Sequence, residues 1–324
     1  MSNSYLDFEK PISDIEKRIQ EIRDYAMEGR GKVTDDEEIN TLERKLEKVQ
    51  KEVYSGLSRW QRVLLARHPQ RPQSQDYIAA ITTDFVELHG DRAFSDDKAL
   101  LAGLAKFDDR PILVIGQQKG KDTKQKLKHN FGMCNPEGYR KGLRLMYLAA
   151  KFKLPLLVLI DTPGAYPGIG AEERGQAEAI ARNIREMAIL PVPIVVVIVG
   201  EGASGGALGL GIGDKVMMLE NSWYSVISPE GCAAILWRDA AKGPQAAEAL
   251  KLSASDLLEL GVIDKVIPEA GGSASRNAPE QMQILKQHVT EAFQELQSKT
   301  PEELVNLRIQ KYRNIGQFYE IQEG

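Results

Sequence analysis

The sequence has few residues suited to metal binding or disulfide formation. Only two cysteines, Cys134 and Cys232, and four histidines occur among its 324 residues. Two cysteines do not make a disulfide framework, and no cysteine or histidine pair has the spacing of a structural zinc site. We therefore expect a cytoplasmic protein in a reducing compartment, with no metal in this chain.

Long apolar runs and a strong excess of one charge are also missing. No run approaches the roughly 20 residues of a membrane-crossing helix, and the charged amino-terminal stretch MSNSYLDFEKPISDIEKR lacks the apolar core of a secretory signal. A net charge of −4 gives no general attraction to nucleic acid or to anionic lipid. These absences leave a soluble enzyme or interaction protein.

Residues 1–75 have the periodicity of two helices. Apolar residues recur at spacings of three and four at Phe8, Ile12, Ile15, Ile19 and Ile22, and again at Ile39, Leu42, Leu46, Val49 and Val53. Between them, Gly29 and Gly31 are expected to break the helix, and Asp35 or Asp36 to cap the next one. The pattern predicts a helical hairpin whose apolar seam either packs on the main domain or docks a partner chain.

Residues 76–270 have the pattern of an α/β domain. Uniformly apolar runs, typical of strands buried on both faces, occupy 111–116, 154–161, 192–199, 215–220 and 262–267. Helical patterns at 136–152 and 171–190 separate the first three, the second being started by Glu172 and Glu173. Residues 271–324 form a helical tail in which Thr300 caps a helix, with Pro301 and Glu303 in its first turn.

Three of the predicted strands run into glycine-bearing loops, GQQKGKD, DTPGAYPGIG and GEGASGG. Ligands of α/β sheets bind at the carboxyl ends of strands, so these loops are the candidate site. The third loop opens the stretch GEGASGGALGLGIG, where seven of fourteen residues are glycine. Three chemistries have sequence patterns that fit this stretch.

The first two alternatives have weaknesses that the sequence itself shows. A dinucleotide cradle would use Gly200, Gly202 and Gly205 with Glu220, but only eight residues remain for the crossover helix before the next strand. A nucleophile elbow would place Ser204 between Gly202 and Gly206, yet the only histidine that follows is His288, in a polar helical segment.

The third alternative is an oxyanion hole. Glycines at the start of a short helix present free N–H groups, and without Cβ atoms a substrate oxygen can approach them closely. Such donors stabilise negative charge as it develops. This interpretation explains the excess of glycine best, while a purely structural role in close helix packing stays open.

Three segments of the sequence resemble a known family. The segments from Phe85 to Met146 and from Leu159 to Met187, together with GEGASGGALGLGIGDKVMMLENSWYSVISPEGCAAILW, are similar to the alpha subunits of bacterial acetyl-CoA carboxylase carboxyltransferases, within the crotonase superfamily. The resemblance runs from about residue 5 to 275. The sequence departs from the family at Ala203, usually glycine, at Gln117, often histidine, and at Cys134, often proline.

The resemblance implies a crotonase-like α/β spiral of ββα units with helical extensions at both ends. It implies transfer of the carboxyl group from carboxybiotin, carried by the biotin carboxyl carrier protein, to acetyl-CoA to give malonyl-CoA for fatty acid synthesis. It also implies an α2β2 assembly with a beta subunit that carries zinc and the acetyl-CoA site, and a biotin carboxylase as a further, ATP-dependent partner.

The resemblance also assigns candidate site residues. The backbone N–H groups of Gly205 and Gly206 are expected to hold the biotin carbonyl oxygen. Released biotin can itself remove the methyl proton, so that no protein base is needed. The expected lining of the biotin pocket is Gly164, Tyr166, Gly168, Gly202 and Ser204.

Two further possibilities remain at the level of sequence. Within the basic run 119–128, Lys119, Lys121 and Lys124 contact CoA phosphates or an acidic partner surface, or they form a solvated face. The alternative functions are a crotonase-type hydratase or isomerase that uses Glu230 as acid or base, and a non-catalytic interaction chain. The hydratase would act alone, whereas an alpha subunit would need its partner.

Overall fold

A computed structural model describes residues 5–27 and 34–316 of the chain. The predicted helix break at Gly29 and Gly31 lies outside the described residues. The structure describes the second helix from Thr34, so the backbone of Asp35 and Asp36 lies within the helix and not before it. Within the described residues, no helix combines the length and the apolar character that crossing a bilayer requires.

The described residues form helices that precede, interrupt and follow one sheet. The helices are α1 Lys10–Tyr25, α2 Thr34–Ser55, α3 Arg59–Ala66, α4 Ser74–Ile81, α5 Thr123–Lys128, α6 Pro136–Phe152, α7 Ile169–Glu173, α8 Gln176–Ala188, α9 Ser204–Leu208, α10 Pro229–Trp237, α11 Gly243–Leu250, α12 Ala254–Glu259, α13 Ala278–Gln297 and α14 Pro301–Arg313. The strands are β1 Thr83–Glu87, β2 Leu100–Phe107, β3 Arg110–Gln117, β4 Leu156–Thr162, β5 Ile194–Ala203, β6 Lys215–Leu219, β7 Trp223–Ser225 and β8 Lys265–Ile267.

The sheet has the order β1-β2-β3-β4-β5-β6-β8, with β7 paired to the end of β5. The first three strands are antiparallel, and the pairs from β3 to β8 are parallel. All parallel strands therefore point their carboxyl ends at one edge, where the loops after β3, β4 and β5 meet. This edge carries the three glycine-bearing loops of the sequence.

Both faces of the sheet are covered, which is why the strands are apolar throughout. Alternate residues of β4 belong to two clusters, Leu156 and Val158 on the face of α6 and α8, and Leu157 and Leu159 on the face of α4 and α13. The carboxyl-terminal helices belong to this second core, since Leu285 and Val289 are fully buried in it. Arg308 of α14 is buried too and donates to the carbonyls of residues 187, 190 and 192.

The amino-terminal helices pack through side chains. Ile12 of α1, Tyr54 of α2 and Leu65 of α3 form a buried cluster that Leu46 and Val49 border. The apolar seam thus lies between α1 and α2 and against α3. Of the two alternatives for this seam, the structure favours packing within the chain.

Most predicted elements are confirmed, and the differences have physical reasons. β3, β4, β5, β6 and β8 overlap the predicted apolar runs, and α6 has the predicted bounds. β5 continues past its run to Ala203, so the first residues of the predicted loop GEGASGG belong to the strand. The single helix predicted at 171–190 is wrong. The structure has two helices, α7 and α8, which are separated at Gly175, where φ is +81°. Glu172 and Glu173 therefore lie at the end of α7. Thr300 caps α14, and Glu303 completes the capping box.

The strands β1, β2 and β7 were not predicted. β2 is rich in leucine and alanine, residues without strand preference, and it forms only because it pairs with β3 along its whole length. The segment after β6 contains β7 and then α10. In that segment Ser228 caps the helix and Pro229 occupies its first turn.

Candidate functional site

The glycine-rich stretch after β5 forms a sharp turn into the short helix α9. Ser204 makes this turn with a φ of +56° and is exposed, and the cap residue Ala203 provides no side-chain acceptor. Gly205 and Gly206 therefore occupy the first turn of α9, where N–H groups have no acceptor within the helix. The turn can offer these N–H groups to a ligand oxygen.

Gly206 is packed backbone against backbone on the loop that follows β4. A Cβ atom at Gly206 would lie 2.3 Å from the carbonyl carbon of Gly164 and 2.4 Å from the nitrogen of Ala165. No side chain fits in that space, so glycine is required here. Gly205 differs, because a Cβ there would only reach ordinary contact, 3.6 Å from the Ile180 side chain.

The 162–168 loop is held by its own polar contacts. The Thr162 hydroxyl is fully buried, accepts from the N–H of Gly164 at 3.1 Å and lies 2.8 Å from the Gly132 carbonyl. Gly164 has a φ of +144°, a conformation that L side chains rarely adopt. Gly164, the residue that Gly206 contacts, is thus itself a glycine in a backbone conformation that other residues rarely adopt.

The other predicted pocket residues lie around this contact in different roles. Tyr166 and Gly168 touch each other, since a Cβ at Gly168 would lie 2.5 Å from the Tyr166 ring. The structure places Gly202 inside β5, between Thr162 of β4 and Tyr224 of β7. Its missing side chain makes room for the Tyr224 ring, 2.9 Å from the Cβ position.

A chain of ion pairs runs along the same edge of the sheet. The Lys119 ammonium lies 2.7 Å from the Asp161 carboxylate and 2.9 Å from that of Glu201. Glu201 also accepts from the Arg67 guanidinium at 2.6 Å, and Arg67 reaches Glu230 at 2.5 Å. The network ties the ends of β3, β4 and β5 to α3 and α10.

Burial and the paired charges act in opposite directions on the pKa values of this network. Burial raises the pKa of Glu201, but the charges of Lys119 and Arg67 outweigh it and lower that pKa overall. For Lys119 burial lowers the pKa, and the two carboxylates raise it above its usual value. The pKa of Asp161 is raised by burial, with Lys119 opposing the shift. None of these carboxylates is a free base.

Two candidate lysines already have carboxylate partners. Lys119 is held in the network, and Lys121 pairs with Asp76 at 2.7 Å on the surface. Lys124 is exposed on α5. A cavity of about 140 Å³ beside the network is lined in part by Lys119, Lys121 and Asp161. These partners favour a structural role for Lys119.

The structure also bears on the alternative chemistries, because their candidate acid and base residues are engaged elsewhere. His288 lies on α13, on the far face of the sheet, 3.6 Å from Glu291, so it gives Ser204 no base. Glu230, the acid or base of the alternative hydratase, is engaged by Arg67. In the described parts of the chain, no group of three or more metal-binding side chains comes together.

Sequence reasoning missed Arg67 and Glu201 as members of this edge. They are 134 residues apart in the chain and share no motif, so no spacing signal connects them. Asp161 was recognisable only as the polar end of an apolar strand.

Comparison with known proteins adds a family to this geometry. The chain matches the family described as acetyl co-enzyme A carboxylase carboxyltransferase-like over residues 5–316. It is 55% identical to the acetyl-coenzyme A carboxylase carboxyl transferase subunit alpha of Geobacter metallireducens, over 99% of this chain and 100% of that protein. It is 52% identical to the subunit of the same name from Halalkalibacterium halodurans, over 98% of each.

Solved structures show the same fold at low identity. Transcarboxylase 12S aligns with a TM-score of 0.58 and 18% identity, over 71% of this chain and 42% of that one. A Pseudomonas malonate decarboxylase hetero-tetramer aligns with a TM-score of 0.53 and 17% identity, over 65% and 84%. The fold is the crotonase-like α/β fold that the resemblance implied. With the full-length relatives, the match shows that the chain belongs to the family of acetyl-coenzyme A carboxylase carboxyltransferase alpha subunits.

Proposed function

We propose that this chain is the half of an acetyl-CoA carboxylase carboxyltransferase that receives carboxybiotin. Together with a beta subunit it transfers the carboxyl group to acetyl-CoA and forms malonyl-CoA, the substrate of fatty acid synthesis. The observation that carries the assignment of the site is the glycine turn at α9, whose first-turn N–H groups have no acceptor within the helix.

The residues present fit a ligand with one developing oxyanion. As the N–C bond of carboxybiotin breaks and CO2 is released, negative charge would move onto the ureido oxygen. The ureido nitrogen would then take the methyl proton of acetyl-CoA, and the enolate carbon so formed would attack the released CO2 to give malonyl-CoA. The N–H groups of Gly205 and Gly206 would donate to that oxygen, and their fixed positions need no reorganisation during the reaction. Exposed Ser204, with Gly164 and Tyr166, would border the bicyclic ring.

The contacts of the nearby carboxylates support a reaction in which released biotin acts as the base. Asp161, Glu201 and Glu230 are all paired with Lys119 or Arg67, so these three carboxylates are not free to act as an acid or base beside α9. Released biotin acting as the base removes the need for one. We place the acetyl-CoA oxyanion site and a zinc site on the beta subunit.

The proposal extends to the assembly. We infer an α2β2 carboxyltransferase served by a biotin carboxyl carrier protein and a biotin carboxylase, in the cytoplasm, where the two free cysteines would stay reduced. For the chain itself we propose three parts: residues 1–75 as a helical extension, 76–270 as the carboxyltransferase domain and 271–324 as a helical tail.

The test is partner dependence combined with one glycine substitution. The purified chain is mixed with a beta subunit, and malonyl-CoA-dependent carboxylation of free biotin is measured, with each chain alone as control. Activity only in the mixture, and its loss in an assembled complex of Gly206→Val, supports the proposal. Hydration of an enoyl-CoA by this chain alone would contradict it.

A further inference from the structure

The carbonyl group of Gly206 is satisfied in an unusual way. At the end of α9, the N–H of Gly209 donates to the Gly205 carbonyl at 2.9 Å, and the N–H of Leu210 donates to the Ala207 carbonyl at 3.1 Å. These two backbone hydrogen bonds use the carbonyls on either side of Gly206 and leave the Gly206 carbonyl without a backbone donor. A buried carbonyl without a partner is costly, so this group needs donors from elsewhere.

Two fully buried side chains supply those donors. The Gln117 amide nitrogen donates to the Gly206 oxygen at 2.8 Å, and the Tyr139 hydroxyl donates to it at 3.2 Å. Gln117 ends β3 and Tyr139 lies on α6, so the two donors come from two different elements. The Gln117 amide oxygen meanwhile accepts from the N–H of Asp161 at 3.3 Å, which joins the same side chain to the end of β4.

These contacts restrain the backbone beside the Gly206 N–H, which the proposed oxyanion hole uses. Two peptide planes meet at the Cα atom of Gly206. The carbonyl of the first belongs to Gly205 and is held by Gly209, and the carbonyl of the second is held by Gln117 and Tyr139. Two adjacent glycines have wide backbone freedom of their own. The first plane contains the Gly206 N–H, and fixing the second plane limits rotation at the Gly206 Cα atom, so that this donor is preorganised.

We propose that Gln117 and Tyr139 are positioning residues for carboxyl transfer, acting through the Gly206 carbonyl without touching the substrate. This inference rests on the proposed function of α9. It predicts that removing either donor lowers kcat for carboxyl transfer and leaves the KM for the CoA substrate unchanged. A merely structural role would lower thermal stability instead.

The experiment uses the complex of full-length chain and beta subunit. Gln117→Met keeps the length of the side chain and removes both polar atoms, and Tyr139→Phe removes one oxygen. We expect kcat to fall roughly tenfold or more for Gln117→Met and about threefold for Tyr139→Phe, because a mispositioned oxyanion donor costs up to the full value of that donor. Gln117→His, which restores a donor and an acceptor in one neutral ring, recovers most of the activity.

Two buried neighbours provide matched controls. Gln118 is the next residue, and its amide pairs with Gln73 at 2.7 Å and not with α9. Tyr77 is fully buried on the other face of the sheet, and within the described residues its hydroxyl has no hydrogen-bond partner. Gln118→Met and Tyr77→Phe therefore make the same chemical changes away from Gly206, and we expect kcat to stay within about twofold.

Hydrogen exchange gives a second readout that does not depend on turnover. Peptides covering residues 200–211 should exchange amide hydrogens faster in Gln117→Met than in Gln118→Met, because α9 loses an anchor. Unchanged kcat and unchanged exchange in Gln117→Met and Tyr139→Phe overturn the inference, as does an equal loss in the Gln118 control. A wild-type complex without carboxyl transfer overturns the proposed function, so the two failures are distinguishable.

Discussion

The edge of the sheet around α9 and the amino-terminal helices are held together in different ways. At α9, backbone meets backbone, and the space at Gly206 is too small for one carbon atom. In the amino-terminal helices the contacts are made by side chains. Ile12 is fully buried there, and Arg59 of α3 pairs with Asp256 of α12 at 2.5 Å.

The difference determines how each region responds to substitution. Side chains in a core can shift and refill space, so the cost of a change is graded. Two backbones in contact have no such freedom, and an added atom must move a whole loop. The first region is therefore suited to fixing N–H groups in space, and the second to holding helices on the domain.

The largest expected effect is at Gly206. In Gly206→Ala the new methyl group would displace the 162–168 loop or α9, so we expect carboxyl transfer to fall about 100-fold or more, the loss of one oxyanion donor. Gly205→Ala, with room beside Ile180, should retain activity within about tenfold. Steady-state kcat of the complex with the beta subunit measures both.

The two variants control for each other, because both glycines lie in the same helix and each substitution adds one carbon atom. Assembly with the beta subunit must be verified by gel filtration for both variants. Equal activity of the two variants would contradict the claim that space at Gly206, and not the loss of glycine as such, limits the site.

The second effect is a loss of stability with no change in chemistry. Ile12→Ala removes a fully buried side chain between α1, α2 and α3, and we expect the free energy of unfolding to fall by about 3 kcal/mol. Urea denaturation measures the change, and kcat of the assembled complex should equal that of the wild type. A reduced kcat with normal stability would show that the two regions are coupled.

The same comparison explains what the sequence could predict. The apolar runs predicted the central strands, because burial on both faces leaves a strong signal, and the resemblance indicated the glycine pair. The sequence could not distinguish Gly205 from Gly206, since the difference arises from Gly164 and Ala165, about 40 residues away. The Arg67–Glu201 pair had no signal for the same reason.

The third effect separates backbone conformation from lack of space. Gly164 has a φ of +144°, yet no atom lies within 4 Å of a Cβ built there. Gly164→Ala should therefore lower stability through backbone strain alone, by about 2 kcal/mol. Denaturant titration measures the loss. Full stability in this variant would mean that the loop adopts another conformation, and activity would then fall because the contact with Gly206 is lost.

The smallest effect concerns the ion pair that joins α3 to α12. The hydrogen bond from Arg59 lowers the pKa of Asp256 from 3.8 to about 2. A carboxylate with a lowered pKa stabilises the folded state above its unfolded pKa and loses that contribution as the pH falls through its folded pKa. We therefore expect Asp256→Asn to cost about 1–2 kcal/mol at neutral pH, after allowance for solvent screening, and progressively less as the pH falls from about 4 towards 2.

Urea titrations of wild type and variant between pH 2.5 and pH 7 test this expectation. The difference in unfolding free energy should have its full value above pH 4 and should shrink below pH 4, because only the wild type has a carboxylate at position 256 that can be protonated. Glu248 pairs with the same arginine at 2.8 Å but is 46% exposed, so Glu248→Gln is a matched control with a smaller cost. A difference that stays constant over this range would assign the loss to packing and not to charge.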